Sequence, residues 1–308
     1  MGCLCNQVYD LEVVTVMEAL ADSARYRAYQ LNKEDNNHVL TYDFQTNECR
    51  IAQIILNPPL DRYSVHINYP LIFTAGGIEK RTNNYSKALW STSAGGEVLQ
   101  MTEHKEMSVA RANPFIVSLG GDAIYIIGGI TKDEELCKVC EKFGIGDSGV
   151  HRLPPMSRGS DFIVGLDKSI YAFGIQGARN NIEVLDVAFE SIGWTKIVID
   201  DCPITNLDGF GVLGKGEIEK QILIFGGKKK EGTQSKAVFI FDRQLGTIKV
   251  ANSTLPKQEE FLHPTTSGKQ LGFAITKQFE VYKYEILNDH WIVQQTSIIK
   301  EKERKGLI

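Results

Sequence analysis

The chain has 308 residues, 43% hydrophobic and 23% charged, the balance of a folded globular protein rather than a disordered or fibrous one. A net charge of −4 argues against a nucleic-acid binder working through a basic face, and the local basic runs, Lys228-Lys229-Lys230 and residues 300–305, read as solvated charge. With no apolar run of transmembrane length, no basic-then-apolar leader and six irregularly spaced cysteines, a reducing, cytoplasmic setting is expected.

The chain opens with Met1-Gly2-Cys3-Leu4-Cys5-Asn6. This has the form of an N-myristoylation start, with Gly2 exposed after Met removal and Cys3 available for palmitate, although Asn6 stands where the pattern prefers Ser or Thr. Two acyl chains hold a membrane stably where one binds marginally. Residues 11–31 are mixed: Met17-Glu18-Ala19-Leu20-Ala21 favours helix and Leu11-Glu12-Val13-Val14-Thr15-Val16 favours strand. Repeat logic from the rest of the chain selects strands here. Residues 40–51 form a hairpin, and counting back from Asp43 puts Arg27-Ala28 where a glycine pair would stand.

From residue 71 the pattern is regular. Four apolar runs end alike: Leu71-Ile72-Phe73-Thr74-Ala75-Gly76-Gly77, Ala123-Ile124-Tyr125-Ile126-Ile127-Gly128-Gly129, Ser169-Ile170-Tyr171-Ala172-Phe173-Gly174 and Gln221-Ile222-Leu223-Ile224-Phe225-Gly226-Gly227. Their first glycines are separated by 52, 46 and 52 residues, a period near 50 that marks one supersecondary unit used about six times. The runs are short, apolar on both faces and bounded by glycine, as strands sandwiched between sheets are.

A second strand follows each run, over residues 87–91, 136–143, 182–186 and 237–242. A third follows a polar turn, over 193–199 and 246–250. A linker of Pro, Met and Arg comes next, clearest at Leu153-Pro154-Pro155-Met156-Ser157-Arg158. A fourth apolar strand opens the next unit, over 115–118, 161–164 and 210–213. Residues 270–275, 280–284 and 290–293 are a last, degenerate copy. Four strands in about 50 residues is one propeller blade.

The units resemble kelch repeats: an apolar strand ending in Gly-Gly, a Tyr-Asp-like strand end, a Trp about six residues on, then a Pro/Met/Arg linker. Tyr42-Asp43 with Cys49, Leu185-Asp186 with Trp194, Phe241-Asp242 with Ile248, and Tyr284 with Trp291 carry the likeness, with linkers at residues 107–111 and 153–158. Three units keep both glycines, so the resemblance is to a divergent member. A tryptophan-aspartate-repeat propeller is the rival, but no Trp-Asp dipeptide occurs. The expected fold is all-β, a six-bladed kelch-type β-propeller of four-stranded antiparallel blades. Residues 1–37 form an N-terminal segment belonging to blade one, 38–299 the propeller, and 300–308 a charged tail.

The resemblance implies that the glycine-ended strand packs near the axis and the Trp-bearing strand outside. It also implies that the linkers open on one face around a central pocket and present arginine and aromatic side chains to a peptide. Here they hold Arg62 and Tyr63, Arg111, Arg158 and Asp161, and, before the last unit, His263. Three converging arginines favour an acidic peptide segment through bidentate charge-assisted bonds.

Catalytic motifs are missing from the sequence. Some kelch-fold proteins hold a copper-radical site built from two Tyr, two His and a cysteine-linked Tyr, but the six histidines here are scattered singly. No phosphate loop, nucleophile elbow or His-Glu-x-x-His occurs, and Cys137-x-x-Cys140 is half a zinc motif. The expectation is a non-catalytic protein-interaction scaffold with no cofactor or metal, docked in a larger assembly such as a cytoskeletal complex. The alternatives are an adaptor tethered to membrane through Gly2 and Cys3, and a metal-dependent propeller enzyme.

Overall fold

The computed structural model of the chain describes residues 26–30, 38–43, 48–68, 70–94, 98–104, 106–119, 123–147, 149–174, 180–208, 211–214, 221–258, 272–275, 280–285, 289–294 and 297–299. Among them the architecture is all-β, interrupted by two short 3-10 helices, Val187–Ile192 and Pro203–Asn206.

The strands fall into successive antiparallel sheets, each laid down in chain order. The first holds Tyr26–Gln30, His38–Asp43 and Glu48–Ile55. The second holds Ser64–Asn68, Leu71–Ala75, Leu89–Ser93 and Thr102–Glu103. Phe115–Ser118, Ala123–Ile127, Cys140–Gly144 and Val150–Leu153 make the third. Phe162–Leu166, Ser169–Phe173, Asn181–Asp186 and Thr195–Val198 make the fourth. The fifth is Gly211–Gly214, Gln221–Phe225, Val238–Asp242 and Thr247–Val250. The sixth has three strands, Gly272–Ile275, Val281–Glu285 and His290–Gln294.

The first strands of successive sheets lie against one another in chain order, from Tyr26–Gln30 through to Gly272–Ile275. The outer edge of the first sheet is completed from elsewhere in the chain. Ser297–Ile299 runs parallel to residues 48–50, and Val98–Gln100 runs parallel to residues 53–55. Strand chemistry thus ties the last described strand back to the first sheet.

Apolar residues on both faces of the glycine-ended strands account for the packing. In Leu71–Ala75, Ala123–Ile127, Ser169–Phe173 and Gln221–Phe225, every residue after the first is buried. The core divides into clusters that each join two consecutive sheets. Tyr63, Val65 and Trp90 pack with Val39 and Ile54 of the first sheet, and Phe73 and Leu89 pack with Ile116 and Phe143 of the third. Phe173 meets Phe241 edge-on at 5.9 Å between the fourth and fifth sheets, and Phe225 meets Trp291 at 5.3 Å between the fifth and sixth.

Two expectations change. Arg27 and Ala28 are not a glycine-pair equivalent: they sit mid-strand, opposite Tyr42 and Thr41. The strand expected from residue 136 begins at Cys140, because Leu136 and Cys137 first bond back to the loop after Gly128-Gly129 (Cys137 N–H to Gly129 O, 2.7 Å). As the opening strands at residues 115–118, 161–164 and 210–213 led one to expect, the glycine-ended strand is second in its sheet, and the opening strands make the contacts between successive sheets.

Candidate partner-binding face

Antiparallel order gives each sheet two unlike ends. The turns joining strands one to two and three to four lie at one end. The loop after the glycine pair and the linker to the next sheet lie at the other, the glycine end. Glycine is needed there. Gly76 has φ +65° and its missing Cβ would fall 2.3 Å from the Arg111 carbonyl oxygen, a contact no side chain survives.

The same hydrogen bonds recur in three sheets. The first glycine donates its N–H to Ala88 O (3.0 Å), Val139 O (3.1 Å) and Ala237 O (3.2 Å). The second accepts at its carbonyl from Ser86 (2.8 Å), Cys137 (2.7 Å) and Ser235 (2.8 Å). Each loop is then bridged to the linker entering its own sheet. Leu60–Asp61 pairs with Ile78–Glu79, Ala112 with Ile130, and Leu207–Asp208 with Lys228–Lys229. Linkers and post-glycine loops therefore form one bonded surface.

The side chains that meet on it are Arg62, Tyr85 and Glu134, from a linker and two different loops. Tyr85 donates its hydroxyl to Glu134 Oε1 at 2.9 Å, and Arg62 Nη1 lies 3.7 Å from the same oxygen. Burial, then the Glu134 hydrogen bond, pushes the Tyr85 phenol up, so it acts as a donor at neutral pH. Arg62 and Glu134 both hold left-handed backbone (φ +53° and +58°), and their side chains are 40% and 67% exposed. The Arg62 carbonyl is fixed by the Asn113 N–H (2.7 Å). Lys80 adds a second exposed pair with Asp61 (3.3 Å).

Of the candidates named from sequence, Arg62 stands on this surface and Arg158 is exposed on the linker before the fourth sheet. Asp161 is half-buried, and its N–H is held by Phe173 O (3.1 Å). Tyr63 is a correction: it is 1% exposed, in the core between the first two sheets, where burial and then the Asp61 charge push its phenol up.

Arg111 is the larger correction. It is fully buried, with Nη2 2.5 Å from Glu141 Oε2 and 3.3 Å from Ile126 O, and Nη1 3.0 Å from Val139 O. It ties the linker to the third sheet and presents nothing to a partner. The three arginines therefore do not converge. His263, Gly2 and Cys3 lie outside the described residues.

Cys137 and Cys140 are buried free thiols. Burial pushes Cys140 up to about 12, and Cys137 Sγ lies 3.7 Å from Arg111 Nη1. Among the described residues, no group of three or more His, Cys, Asp or Glu is placed to hold a metal. His66 is 3% exposed, its Nε2 2.8 Å from Ser118 Oγ, stitching the first strands of the second and third sheets. A cleft of about 470 Å³ opens beside the fifth-sheet loop, floored by Pro203, Ala237 and Phe239 and walled by Lys229, Lys230 and Glu231.

Tyr85, Glu134 and Glu141 escaped the sequence reading. Glu141 had a signal, a carboxylate inside an apolar strand at the register that Glu183 fills in the next sheet. Ser108 N–H donates to Glu141 (2.6 Å), and Ser157 N–H donates to Glu183 (3.0 Å). Tyr85 and Glu134 had none, since their meeting depends on how neighbouring loops lie.

Comparison with known proteins adds no relative: no protein-family model and no curated protein matches the chain. Among the described residues, no helix is long and apolar enough to cross a membrane.

Proposed function

We propose that the six sheets are the blades of a kelch-type β-propeller and that the protein is a non-catalytic interaction scaffold that captures partner proteins at the glycine end. The observation that carries this reading is the bonded surface of linkers and post-glycine loops, with Arg62 turned outward beside Tyr85 and Glu134. The repeating glycine hairpins, the contacts between first strands in chain order and the return of Ser297–Ile299 to the first sheet support the propeller. Outward Arg62, Arg158 and Lys80 suit an acidic segment, because exposed cations on a rigid support give charge complementarity at little ordering cost.

The test is partner capture from the source cell by the purified protein, with Arg62→Glu/Arg158→Glu beside wild type. The expected result is loss of the captured set with an unchanged melting temperature. An unchanged capture profile rejects the site. Arg111 is left intact, since altering it perturbs the fold.

A further inference from the structure

The third and fifth sheets repeat one pattern, so each residue at one glycine end has a counterpart at the other. Matching hydrogen bonds set the correspondence. The first-glycine N–H goes to Val139 O in the third sheet and to Ala237 O in the fifth, and the second-glycine carbonyl accepts from the Cys137 and Ser235 N–H. Ser235 therefore stands for Cys137, Ala237 for Val139 and Phe239 for Glu141. The post-glycine hairpins are equally long, bridged by Ile130 with Leu136 and by Lys228 with Gln234. The linkers align through their own bridges, Ala112 to Ile130 and Asp208 to Lys228. Leu207 thus takes the place of Arg111, and Pro203 that of Met107.

In the third sheet these places enclose a guanidinium. Arg111 Nη1 donates to Val139 O (3.0 Å) and lies 3.7 Å from Cys137 Sγ. Its Nη2 lies 3.6 Å from Met107 Sδ and 2.5 Å from Glu141 Oε2. The four counterparts, Pro203, Ser235, Ala237 and Phe239, all line the cleft of about 470 Å³. The cleft is the Arg111 seat of the fifth sheet, left open. A leucine at the Arg111 place stops at its δ carbons, short of where a guanidinium reaches. The second sheet also has leucine there, Leu60, but carries Trp90 at the Phe239 place, and Leu60, Ala88 and Trp90 pack in one buried cluster. The fifth sheet has neither the arginine nor the indole.

The chemistry of the open seat selects its occupant. Pro203, Ala237 and the Phe239 ring present apolar surface, and the Ser235 hydroxyl accepts the Ala237 N–H (3.0 Å). The Ala237 carbonyl holds the Gly226 N–H (3.2 Å). Among the described residues, no second donor reaches it, whereas Val139 O also takes the Arg111 N–H. A guanidinium would lack a counter-charge here, because Phe239 replaces Glu141, Lys229 and Lys230 stand at the mouth, and Glu231 already faces Lys229 (4.0 Å). A flat apolar group with one N–H meets all of these conditions. Its ring packs on Phe239, its N–H satisfies the carbonyl, and the lysine ammonium groups lie toward its π face. The volume falls within the range of about 300–1,000 Å³ usual for ligand sites.

We propose that this cleft seats a tryptophan side chain of a partner segment lying on the glycine end, with the indole against Phe239 and its Nε1–H donated to Ala237 O. The occupant is a protein side chain because the chain's own side chains fill the corresponding places in the second and third sheets. The inference rests on the reading of the glycine end as the partner-binding face, and it names the anchor that this face takes. Aromatic anchors in pockets carry much of the energy of a protein interface, and the seat supplies one where exposed arginines alone do not.

The probes are acetylated, amidated peptides Gly-Ser-X-Ser-Gly, with Trp, Leu, Arg or Ala at X, titrated against the full chain by ligand-observed NMR. The Trp peptide should bind at least about tenfold tighter than the Ala peptide, and tighter than the Leu and Arg peptides. In protein with methyl-labelled alanine, the Ala237 signal should shift as the Trp peptide is added, a readout that needs no altered fold. Ala237→Leu narrows the cleft and should bring the Trp peptide to the level of the Ala peptide, with a matching thermal melt. Phe239→Glu restores the third-sheet composition and should move the preference from Trp to Arg. Arg62→Glu/Arg158→Glu should leave peptide binding unchanged, so the seat and partner capture through the arginines fail separately. A Trp peptide no better than the Leu peptide overturns the proposal, as does an Ala237 signal that stays still or a wild-type preference for Arg. Free indole-3-acetate bound at least about tenfold tighter than the Trp peptide overturns it too, by giving the cleft to a small metabolite.

Discussion

Replacing Arg111 with Met tests whether the arginine is a buried fastener. Its guanidinium is enclosed, with an ion pair to Glu141 at 2.5 Å and hydrogen bonds to Val139 O (3.0 Å) and Ile126 O (3.3 Å). Met fills most of the aliphatic volume, so the main loss is electrostatic. Glu141, 1% exposed, keeps the Ser108 N–H at 2.6 Å but loses its cation. Removing one partner of a buried pair costs about 3–5 kcal/mol, because a desolvated charge is left behind. Against a typical total of roughly 5–15 kcal/mol this is a large fraction. Replacing both partners with apolar residues of similar volume is close to neutral in other proteins. Here Arg111→Met/Glu141→Leu still orphans the Ser108 N–H and two carbonyl oxygens, so about 1–3 kcal/mol is expected for the pair. Urea denaturation of wild type, both single variants and the double variant closes the cycle. The expected signature is a double variant more stable than Arg111→Met alone. A single-variant loss under about 1 kcal/mol, or a double variant as unstable as the two losses added, would refute the buried-fastener reading.

Gly76→Ala should destabilise far more than Gly146→Ala in thermal melts. Both residues have positive φ, but only at Gly76 does the new Cβ strike backbone, and equal losses would count against the close approach of Arg111 O. The Asp289 carboxyl is pushed up by burial, but hydrogen bonds from Tyr284, Ser253 and the Asn252 N–H outweigh that and hold it below the usual carboxylate range. Its stabilisation is full above the unfolded value of about 3.9 and is lost as pH falls from there through the lower folded value; Asp289→Asn should flatten that part of the stability–pH curve, and an unchanged curve would contradict the assignment. His104, beside Ser91 (2.7 Å) and the Phe143 ring (5.0 Å), is pushed down by burial. Its contribution is full above the unfolded value of about 6.5 and falls as pH drops from there through the lower folded value, so His104→Gln should remove that slope from urea midpoints measured across the range.

The all-β class and most strand positions were legible because their signals are local. An apolar run with a terminal glycine pair carries both the strand and its stop, and the strand expected at residues 115–118 is found there. What failed was the direction of side chains on linkers. Arg62 and Arg111 look alike in sequence, each preceding an apolar strand. Arg62 sits at φ +53° and turns outward, whereas the Arg111 linker is drawn under Gly76 and Gly77, whose N–H binds Arg111 O at 2.9 Å. A glycine pair signals that some backbone approaches closely. Which residue approaches, and where its side chain then goes, depends on the next sheet.

The two ends of the sheets differ because their connections are held by different chemistry. At the glycine end, backbone bridges and an inward arginine consume the linkers, so the surface groups that remain are polar side chains such as Arg62, Tyr85 and Lys80. At the other end, the Glu190 and Arg243 clasps satisfy the polar groups of the turns from beneath. That leaves the turn apices without a polar task. Phe189, Ile192 and Leu245 each keep more than half of their surface in water. They stand on two consecutive turns, each clasped onto the preceding sheet, and apolar side chains exposed singly in this way are ordinary on a protein surface.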